Sequence, residues 1–152
     1  MALFNVRVYG LLLDAQNRLL VSDEYIRGEF FTKLPGGGLE FGEGTRDGLA
    51  REFMEETGIT VTVGAHLYTT DFFQISAFNK KDQIIYIYYM VSSTECAKIK
   101  TSKKNFDFSS EQIADKKGTF ESFRWVNFES LNEDSMSLPI DKVAIQILKQ
   151  SF

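Results

Sequence analysis

The sequence predicts a mixed α/β domain, and three observations lead to that expectation. The chain has 152 residues, about the size of one domain, so we expect a single domain over residues 1–152. Apolar residues make up 43% of the chain and charged residues 25%, which is typical of a folded globular protein. Short apolar runs with the composition of strands surround a central segment of helical periodicity.

The predicted strands are short runs rich in β-branched and aromatic residues, bounded by turn-forming residues. They cover residues 6–13, 18–25, 30–34, 61–68, 71–78, 83–91 and 121–126. The first two strands flank a turn signal, so we expect them to form a hairpin. The third is expected to stop at Pro35 and the three glycines that follow, because these residues do not favour a regular ladder.

The first predicted helix covers residues 45–57. Thr45 is the expected N-cap, and Gly58 is the expected left-handed residue beyond the last turn. The helical period places one stripe of side chains toward the core. This stripe consists of Leu49, Ala50, Phe53 and Met54, with Arg46 and Thr57 near its ends.

A second helix is predicted over residues 139–150, where Pro139 suits the first turn. Its expected buried side chains are Ile140, Val143, Ile147 and Leu148. The preceding stretch, residues 92–119, is polar. We expect a long loop there, or a loop that holds a short helix, and long loops in compact domains are often functional.

Charge and cysteine content exclude several classes of protein. The chain has 17 basic and 21 acidic residues, and its net charge of −4 makes a nucleic-acid partner or an acidic lipid surface a poor expectation. The single cysteine, Cys96, excludes an intrachain disulfide and a cysteine metal cluster. Because the sequence has neither a signal-peptide pattern nor an apolar run of membrane-spanning length, we expect a cytoplasmic protein without a membrane partner.

Three carboxylates share one face of the first predicted helix. Glu52, Glu55 and Glu56 repel one another at these spacings, and the last two lie at the negative end of the helix dipole. The arrangement costs on the order of 1–2 kcal/mol unless a cation offsets it. It is therefore either a solvated acidic surface or a site for a hard divalent cation such as Mg²⁺ or Mn²⁺. Gly48 lies in the same arc, where it either leaves room for a ligand or another backbone, or is simply tolerated.

The segment from Gly37 to Ile59 carries a recognisable motif. It reads Gly37, five residues, Glu43, seven residues, and then Arg51-Glu52-Phe53-Met54-Glu55-Glu56-Thr57-Gly58-Ile59. This resembles the Nudix box, G-x5-E-x7-R-E-U-x-E-E-x-G-U, of the Nudix (MutT-like) hydrolases, with every fixed position present. The resemblance implies an α/β/α sandwich with a central mixed β-sheet. It also implies metal-dependent hydrolysis of the diphosphate linkage in a nucleoside diphosphate linked to another moiety.

The same resemblance implies roles for individual residues. The ligands of Mg²⁺ or Mn²⁺ would be Glu52, Glu55, Glu56 and the backbone carbonyl of Gly37. Arg51 would hold Glu43 or Glu55 in place. The metal would activate water, and a carboxylate would take its proton. Glu121 is the first candidate for this general base and Glu111 the second, while Glu52 or Glu56 are the alternatives.

Signals for the substrate are weaker. Arg27 is a candidate for phosphate contact or an ordinary solvated loop residue, and Phe31 is a candidate for stacking on a nucleobase. A non-catalytic module that binds a nucleotide or an ADP-ribose-type ligand is the main alternative function. Hydrolysis of an RNA cap or RNA end is another, because a local basic cluster is formed by Lys98, Lys100, Lys103 and Lys104. The resemblance also implies a homodimer as a common state.

Overall fold

The computed structural model describes residues 1–151. Its strands are β1 (Leu3–Leu12), β2 (Arg18–Ile26), β3 (Glu29–Lys33), β4 (Gly36–Gly38), β5 (Thr62–Thr69), β6 (Asp82–Ser92) and β7 (Thr119–Asn127). Its helices are α1 (Thr45–Thr57), α2 (Ser110–Ala114) and α3 (Pro139–Ser151). Single 3₁₀ turns are formed by Cys96–Lys98, Phe128–Ser130 and Glu133–Ser135. Within the described residues, no helix is both long and apolar enough to cross a membrane.

The strands form two sheets. The larger sheet has the order β4-β1-β6-β5 and is mixed, because β1 runs parallel to β6 and antiparallel to β4. The smaller sheet has the order β3-β2-β7 and is antiparallel. The predicted mixed sheet and α/β class are confirmed.

The two long helices cover opposite faces of β1. Alternate residues of a strand point to opposite faces, so Val8 packs in the hydrophobic cluster that contains Phe53 of α1. Tyr9, the next residue, packs in the cluster that contains Ile145 and Leu148 of α3. The helices and the mixed sheet therefore form the expected layers, with α1 on one side and α3 on the other.

The predicted hairpin of the first two strands is wrong. β1 pairs with β4 and β6, whereas β2 pairs with β3 and β7, and one bridge between Leu13 and Leu19 is all that joins their ends. Residues 8–12 of β1 and most of β2 are buried, and strands buried on both faces occupy central positions in sheets. The turn between them therefore transfers the chain from one sheet to the other.

The third strand ends before Pro35 as predicted, but the glycines that follow form the short strand β4 in the other sheet, which was not expected. Gly37 pairs with Val8 of β1. The approach is so close that a Cβ atom at Gly36 would lie 2.0 Å from the carbonyl oxygen of Val8. Glycine permits this pairing because it has no side chain at the contact.

Residues 71–78 do not form the predicted strand. The segment is irregular, apart from one bridge between Ile75 and Gln83. The exposed aromatic residues of this segment are Phe72, Phe73 and Phe78. Their strand propensity led to the prediction, but propensity alone does not form a strand where no neighbouring strand pairs with the segment.

The predicted bounds of α1 are confirmed, but its N-cap is Gly44 instead of Thr45. Thr45 Oγ1 shares a hydrogen bond of 2.7 Å with the Tyr89 hydroxyl, so this side chain joins α1 to β6. Gly58 ends the helix in the left-handed region at a φ of 75°, as predicted. Met54 is exposed, in contrast to the predicted stripe.

α3 buries a face rotated from the predicted one. Its buried residues are Ile140, Asp141, Ala144, Ile145 and Leu148, whereas Val143 and Ile147 are only partly buried. The rotation places Asp141 under the sheet, where Tyr88 donates a hydrogen bond of 2.5 Å to Asp141 Oδ1. Residues 92–119 form a loop that holds the short helix α2, one of the two expected forms.

Candidate active site

α1 presents its acidic face because its apolar face is anchored. Leu49 and Phe53 are fully buried, which leaves Glu52, Glu55 and Glu56 on the other side of the helix. Glu52 and Glu56 are partly buried beneath neighbouring strands, whereas Glu55 is exposed. The three predicted metal ligands thus differ in their contact with solvent.

Arg51 joins the parts of this face. Its Nη2 and Nε donate to the two carboxylate oxygens of Glu43 at 2.7 Å and 3.0 Å. Its Nη1 donates to Glu52 at 3.1 Å and to Glu55 at 3.2 Å. Nη2 also donates to the carbonyl oxygen of Gly38 at 3.1 Å. One guanidinium therefore contacts both Glu43 and Glu55, the two partners that the sequence suggested as alternatives.

The Arg51–Glu43 contact is strongly electrostatic. Hydrogen bonding to Arg51 lowers the pKa of Glu43 from 4.5 to about 2, and the same contact raises the pKa of Arg51. Paired donors in the guanidinium plane match a carboxylate in a way that a lysine ammonium does not. Both groups therefore stay ionised throughout the physiological pH range.

Two glycines leave room for these carboxylates. A Cβ atom at Gly37 would lie 2.6 Å from the Glu52 carboxylate, and one at Gly48 would lie 2.8 Å from Glu43 Oε1. The space beside Gly48 is therefore filled by Glu43 and by Leu39, whose Cδ1 is also 2.8 Å away. The sequence left open whether Gly48 leaves room for a ligand or another backbone or is simply tolerated, and the structure shows side chains in that space.

Glu24 belongs to the site, although the sequence analysis missed it. It lies directly opposite Glu121 in the β2–β7 register. Ser22 Oγ is 3.0 Å from Glu24 and 3.3 Å from Glu121, and Lys33 Nζ is 3.4 Å from Glu24. The signal in the sequence was a glutamate in the second predicted strand, but strand register was needed to place it beside Glu121.

The four carboxylates of Glu24, Glu52, Glu56 and Glu121, here called the acidic cluster, are close enough for their charges to act on Glu56 and Glu121. Burial and the charges of the other three raise the pKa of Glu56 from 4.5 to about 8. Packing around the carboxylate and the charge of Glu24 also raise the pKa of Glu121, although this residue keeps an exposed edge. Residues from α1, β2 and β7 thus converge on one concentration of negative charge.

The remaining predicted residues lie at different distances from this cluster. Phe31 of β3 pairs with Glu24, and its ring contacts that of Phe78 edge to face at 5.3 Å. Arg27 is exposed in the turn between β2 and β3. Glu111 is exposed on α2, and no hydrogen bond or ion pair between described residues joins it to the cluster. Phe31 is therefore beside the cluster, while Arg27 and Glu111 are not shown in contact with it.

The donor set consists of carboxylate oxygens, which suit Mg²⁺ or Mn²⁺. In residues 1–151, no three acidic, histidine or cysteine side chains already stand in a metal-binding arrangement. Arg51 Nη1 donates to both Glu52 and Glu55, so this guanidinium cation occupies the space between the two carboxylates. The chemistry of the residues thus fits a hard cation.

Residues 3–147 match the NUDIX domain family. The chain belongs to the Nudix family. It is therefore a hydrolase of a family that acts on small nucleotide derivatives and generally uses a divalent metal such as Mg²⁺. No curated protein matches the sequence closely enough to count as a relative.

Solved structures show the same fold. The chain is similar to a NUDIX hydrolase from Nitrosomonas europaea, with a TM-score of 0.67, 18% identity, and coverage of 97% of this chain and 89% of the other. It is similar to a MutT protein from Methanosarcina mazei Go1, with a TM-score of 0.66, 20% identity, and coverage of 99% and 96%. It is also similar to a MutT NUDIX hydrolase from Burkholderia pseudomallei, with a TM-score of 0.65, 16% identity, and coverage of 95% of this chain and 98% of the other. At these identities the likeness supports the Nudix fold alone.

Proposed function

We propose that this Nudix hydrolase cleaves the diphosphate linkage of a nucleoside diphosphate joined to another moiety. The observation that carries the proposal is the acidic cluster beside an intact Nudix box. Burial and the charges of the neighbouring carboxylates raise the pKa of Glu56 to about 8, and a divalent cation would relieve this unfavourable arrangement. A diphosphate brings negative charge of its own, so the same cation also serves the substrate.

The residues that would hold Mg²⁺ or Mn²⁺ are Glu52, Glu55, Glu56 and the backbone carbonyl of Gly37. When bound, the cation neutralises phosphate charge and lowers the pKa of coordinated water. Arg51 orients this group, because its guanidinium contacts Glu52 and Glu55 while it is fixed to Glu43. These contacts support a positioning role for Arg51 and Glu43.

Glu121 is the proposed general base. Burial and the charge of Glu24 raise the pKa of Glu121, which makes its carboxylate a stronger proton acceptor, and its exposed edge leaves that carboxylate open to water. Ser22 contacts both Glu24 and Glu121, so it keeps the two side chains at the β2–β7 boundary. Glu24 would then act on the orientation and charge of Glu121.

A phosphate-release screen with Mg²⁺ tests the reaction. The substrates are nucleoside triphosphates, nucleotide sugars, ADP-ribose and dinucleoside polyphosphates, and we expect turnover in at least one class. Glu55→Gln should abolish turnover while the fold survives, because Glu55 is exposed and leaves the core unchanged. Glu129→Gln is the matched control on another exposed glutamate, which lies outside the acidic cluster, and should retain turnover.

A binding measurement separates an enzyme from a ligand-binding module. Mg²⁺ should raise the thermal unfolding temperature of the wild type, and the increase should be smaller for Glu55→Gln. Metal binding with no turnover in any substrate class would favour the non-catalytic module. Full turnover by Glu55→Gln would contradict the proposed metal site.

A further inference from the structure

The acidic cluster opens on one side into a cavity of about 520 Å³. Glu56 and Glu121 line its inner edge, and a loop of residues 99–112 with the N-terminal part of α2 forms the opposite wall. The bridge between Thr101 and Phe123 attaches this loop to β7. We call this space the β7 pocket. A group attached to a diphosphate at the cluster could therefore extend into this pocket.

We propose that the β7 pocket binds a neutral sugar ring, the moiety attached to the diphosphate of the substrate. This inference rests on the proposed function and narrows its substrate class to diphosphate-linked sugars. The volume of the pocket is in the usual range for small-molecule sites and exceeds what a phosphate group alone occupies. The argument depends on the polarity, charge and rigidity of its walls.

The lining combines hydrogen-bonding groups with a small apolar area. Asp107, Gln112 and Thr101 offer a carboxylate, an amide and a hydroxyl, while Ile99 and Phe108 provide apolar surface. Gln112 uses its Oε1 to accept from Ser109 N, so its side-chain NH₂ group is the part that remains to donate. Sugar rings carry hydroxyl groups around their edge and C–H groups on their faces. The pocket offers partners for both.

The charge of the lining favours a neutral group over further phosphates. Asp107 and Glu121 are acidic, and among the described residues that line the pocket Lys100 is the single cation. Lys103 and Lys104, which belong to the basic cluster of the sequence, do not line it. A chain of phosphates would therefore meet carboxylates, whereas sugar hydroxyls donate well to them.

The pocket wall is held in place by a buried ion pair. Asp23 is completely buried and accepts from Arg124 Nε at 2.8 Å, from Arg124 Nη2 at 2.9 Å and from the backbone N–H of Phe106 at 3.1 Å. Phe106 has a φ of +52°, which a bulky residue adopts only when its surroundings hold it there. Ser102 Oγ donates to Asp107 at 2.7 Å. Asp107 is thus bonded to Ser102 within the loop, and its neighbour Phe106 is bonded to the buried ion pair.

The experiment compares substrates that share a nucleotide and differ in the attached group. We would measure kcat/KM with Mg²⁺ for UDP-glucose against UTP and for ADP-ribose against ATP. Thr101→Trp places an indole in the pocket from an exposed position. We expect a loss of roughly tenfold or more for the sugar-linked substrates, with the triphosphates changed less than about twofold. Thr62→Trp, at an exposed threonine of β5 outside the pocket, is the matched control and should leave all four substrates unchanged.

A second variant tests the polar wall without filling it. Asp107→Asn keeps the shape and an oxygen that accepts from Ser102, but it removes the charge. We expect KM for UDP-glucose and ADP-ribose to rise roughly threefold to tenfold, with kcat retained.

Each outcome separates the pocket from the reaction. Selective losses in Thr101→Trp support the sugar pocket. Equal effects on both substrate classes, no effect on either, or wild-type turnover of triphosphates alone would overturn the pocket and leave the hydrolase proposal intact. An absence of wild-type turnover in every class would overturn the proposed function, and the inference with it.

Discussion

The carboxylate of Glu52 lies against Gly37 so closely that a Cβ atom there would be 2.6 Å from Glu52 Oε2. At the adjacent Gly38, the nearest atom to such a Cβ is Arg7 Nη1 at 3.6 Å, an ordinary contact. Neither glycine has a positive φ. The two positions therefore differ in what an added methyl group would meet, and not in backbone strain.

Gly37→Ala should displace Glu52 and lower kcat by roughly tenfold or more, because a shift of about 1 Å in a catalytic group is sufficient for such a loss. Gly38→Ala should retain kcat within about twofold. Steady-state kinetics, with thermal unfolding to confirm the fold, compare the two variants. Equal kcat values would show that the position of Glu52 is unimportant for turnover.

Arg51→Lys tests whether the shape of the guanidinium is needed in addition to its charge. Lysine cannot reproduce the paired contact with Glu43 while also reaching Glu52 and Glu55. We expect kcat to fall roughly tenfold to a hundredfold, with the unfolding temperature nearly retained because this surface pairing is partly exposed. If kcat stays at the wild-type value, Arg51 forms only ordinary surface ion pairs and has no positioning role.

Glu121→Gln distinguishes the proposed base from its neighbour. If Glu121 takes the proton, kcat should fall by roughly 10²–10⁴-fold, and Glu24→Gln should cost less because Glu24 acts through Glu121. The pH–rate profile should lose its acidic limb in Glu121→Gln but only shift in Glu24→Gln. A loss below about tenfold in Glu121→Gln would move the base to another carboxylate.

Asp141 makes stability depend on pH. Burial raises its pKa from 3.8 to about 6, and its Oδ2 has no hydrogen-bond partner among the described residues. Below both pKa values the carboxyl is protonated in the folded and unfolded chains, so its ionisation does not lower the free energy of unfolding. As pH rises from about 4 to 6, the unfolded chain ionises first, and the folded state loses stability relative to it.

Asp141→Asn should therefore raise the free energy of unfolding at pH 8 by on the order of 3 kcal/mol and change it little at pH 4. The amide still accepts from Tyr88 through its oxygen. Urea unfolding at the two pH values measures the difference. An equal effect at both values would assign the change to packing instead of charge.

The segment 37–59 could be read from the sequence because its geometry is local. The spacing of Arg51, Glu52 and Glu55 within one helix determines which side chains share a face, and the helix formed over the predicted residues. Glu24 could not be read in this way. Its position beside Glu121 depends on a β2–β7 register between residues far apart in the chain.

The same limit explains the errors in the fold. A turn signal at residues 14–17 indicates that the chain reverses, but not which strand each arm then pairs with. β1 found its partners in β4 and β6, which begin after residues 35 and 81. In α3, Asp141 can lie on the buried face because the Tyr88 hydroxyl donates a hydrogen bond to it. Helical periodicity alone does not reveal such a partner.

The direct opposition of Glu24 and Glu121 also bears on how the protein responds to selection. Like charges that face each other across two strands lower stability, so a neutral residue in place of Glu121 should stabilise the chain, whereas Glu24 also pairs with the buried Lys33 at 3.4 Å. A screen for heat resistance alone would therefore accumulate substitutions at Glu121, and with Glu121 as the proposed base it would lower turnover as it succeeded. A library intended to keep the enzyme active would hold Glu121 constant and seek stability elsewhere.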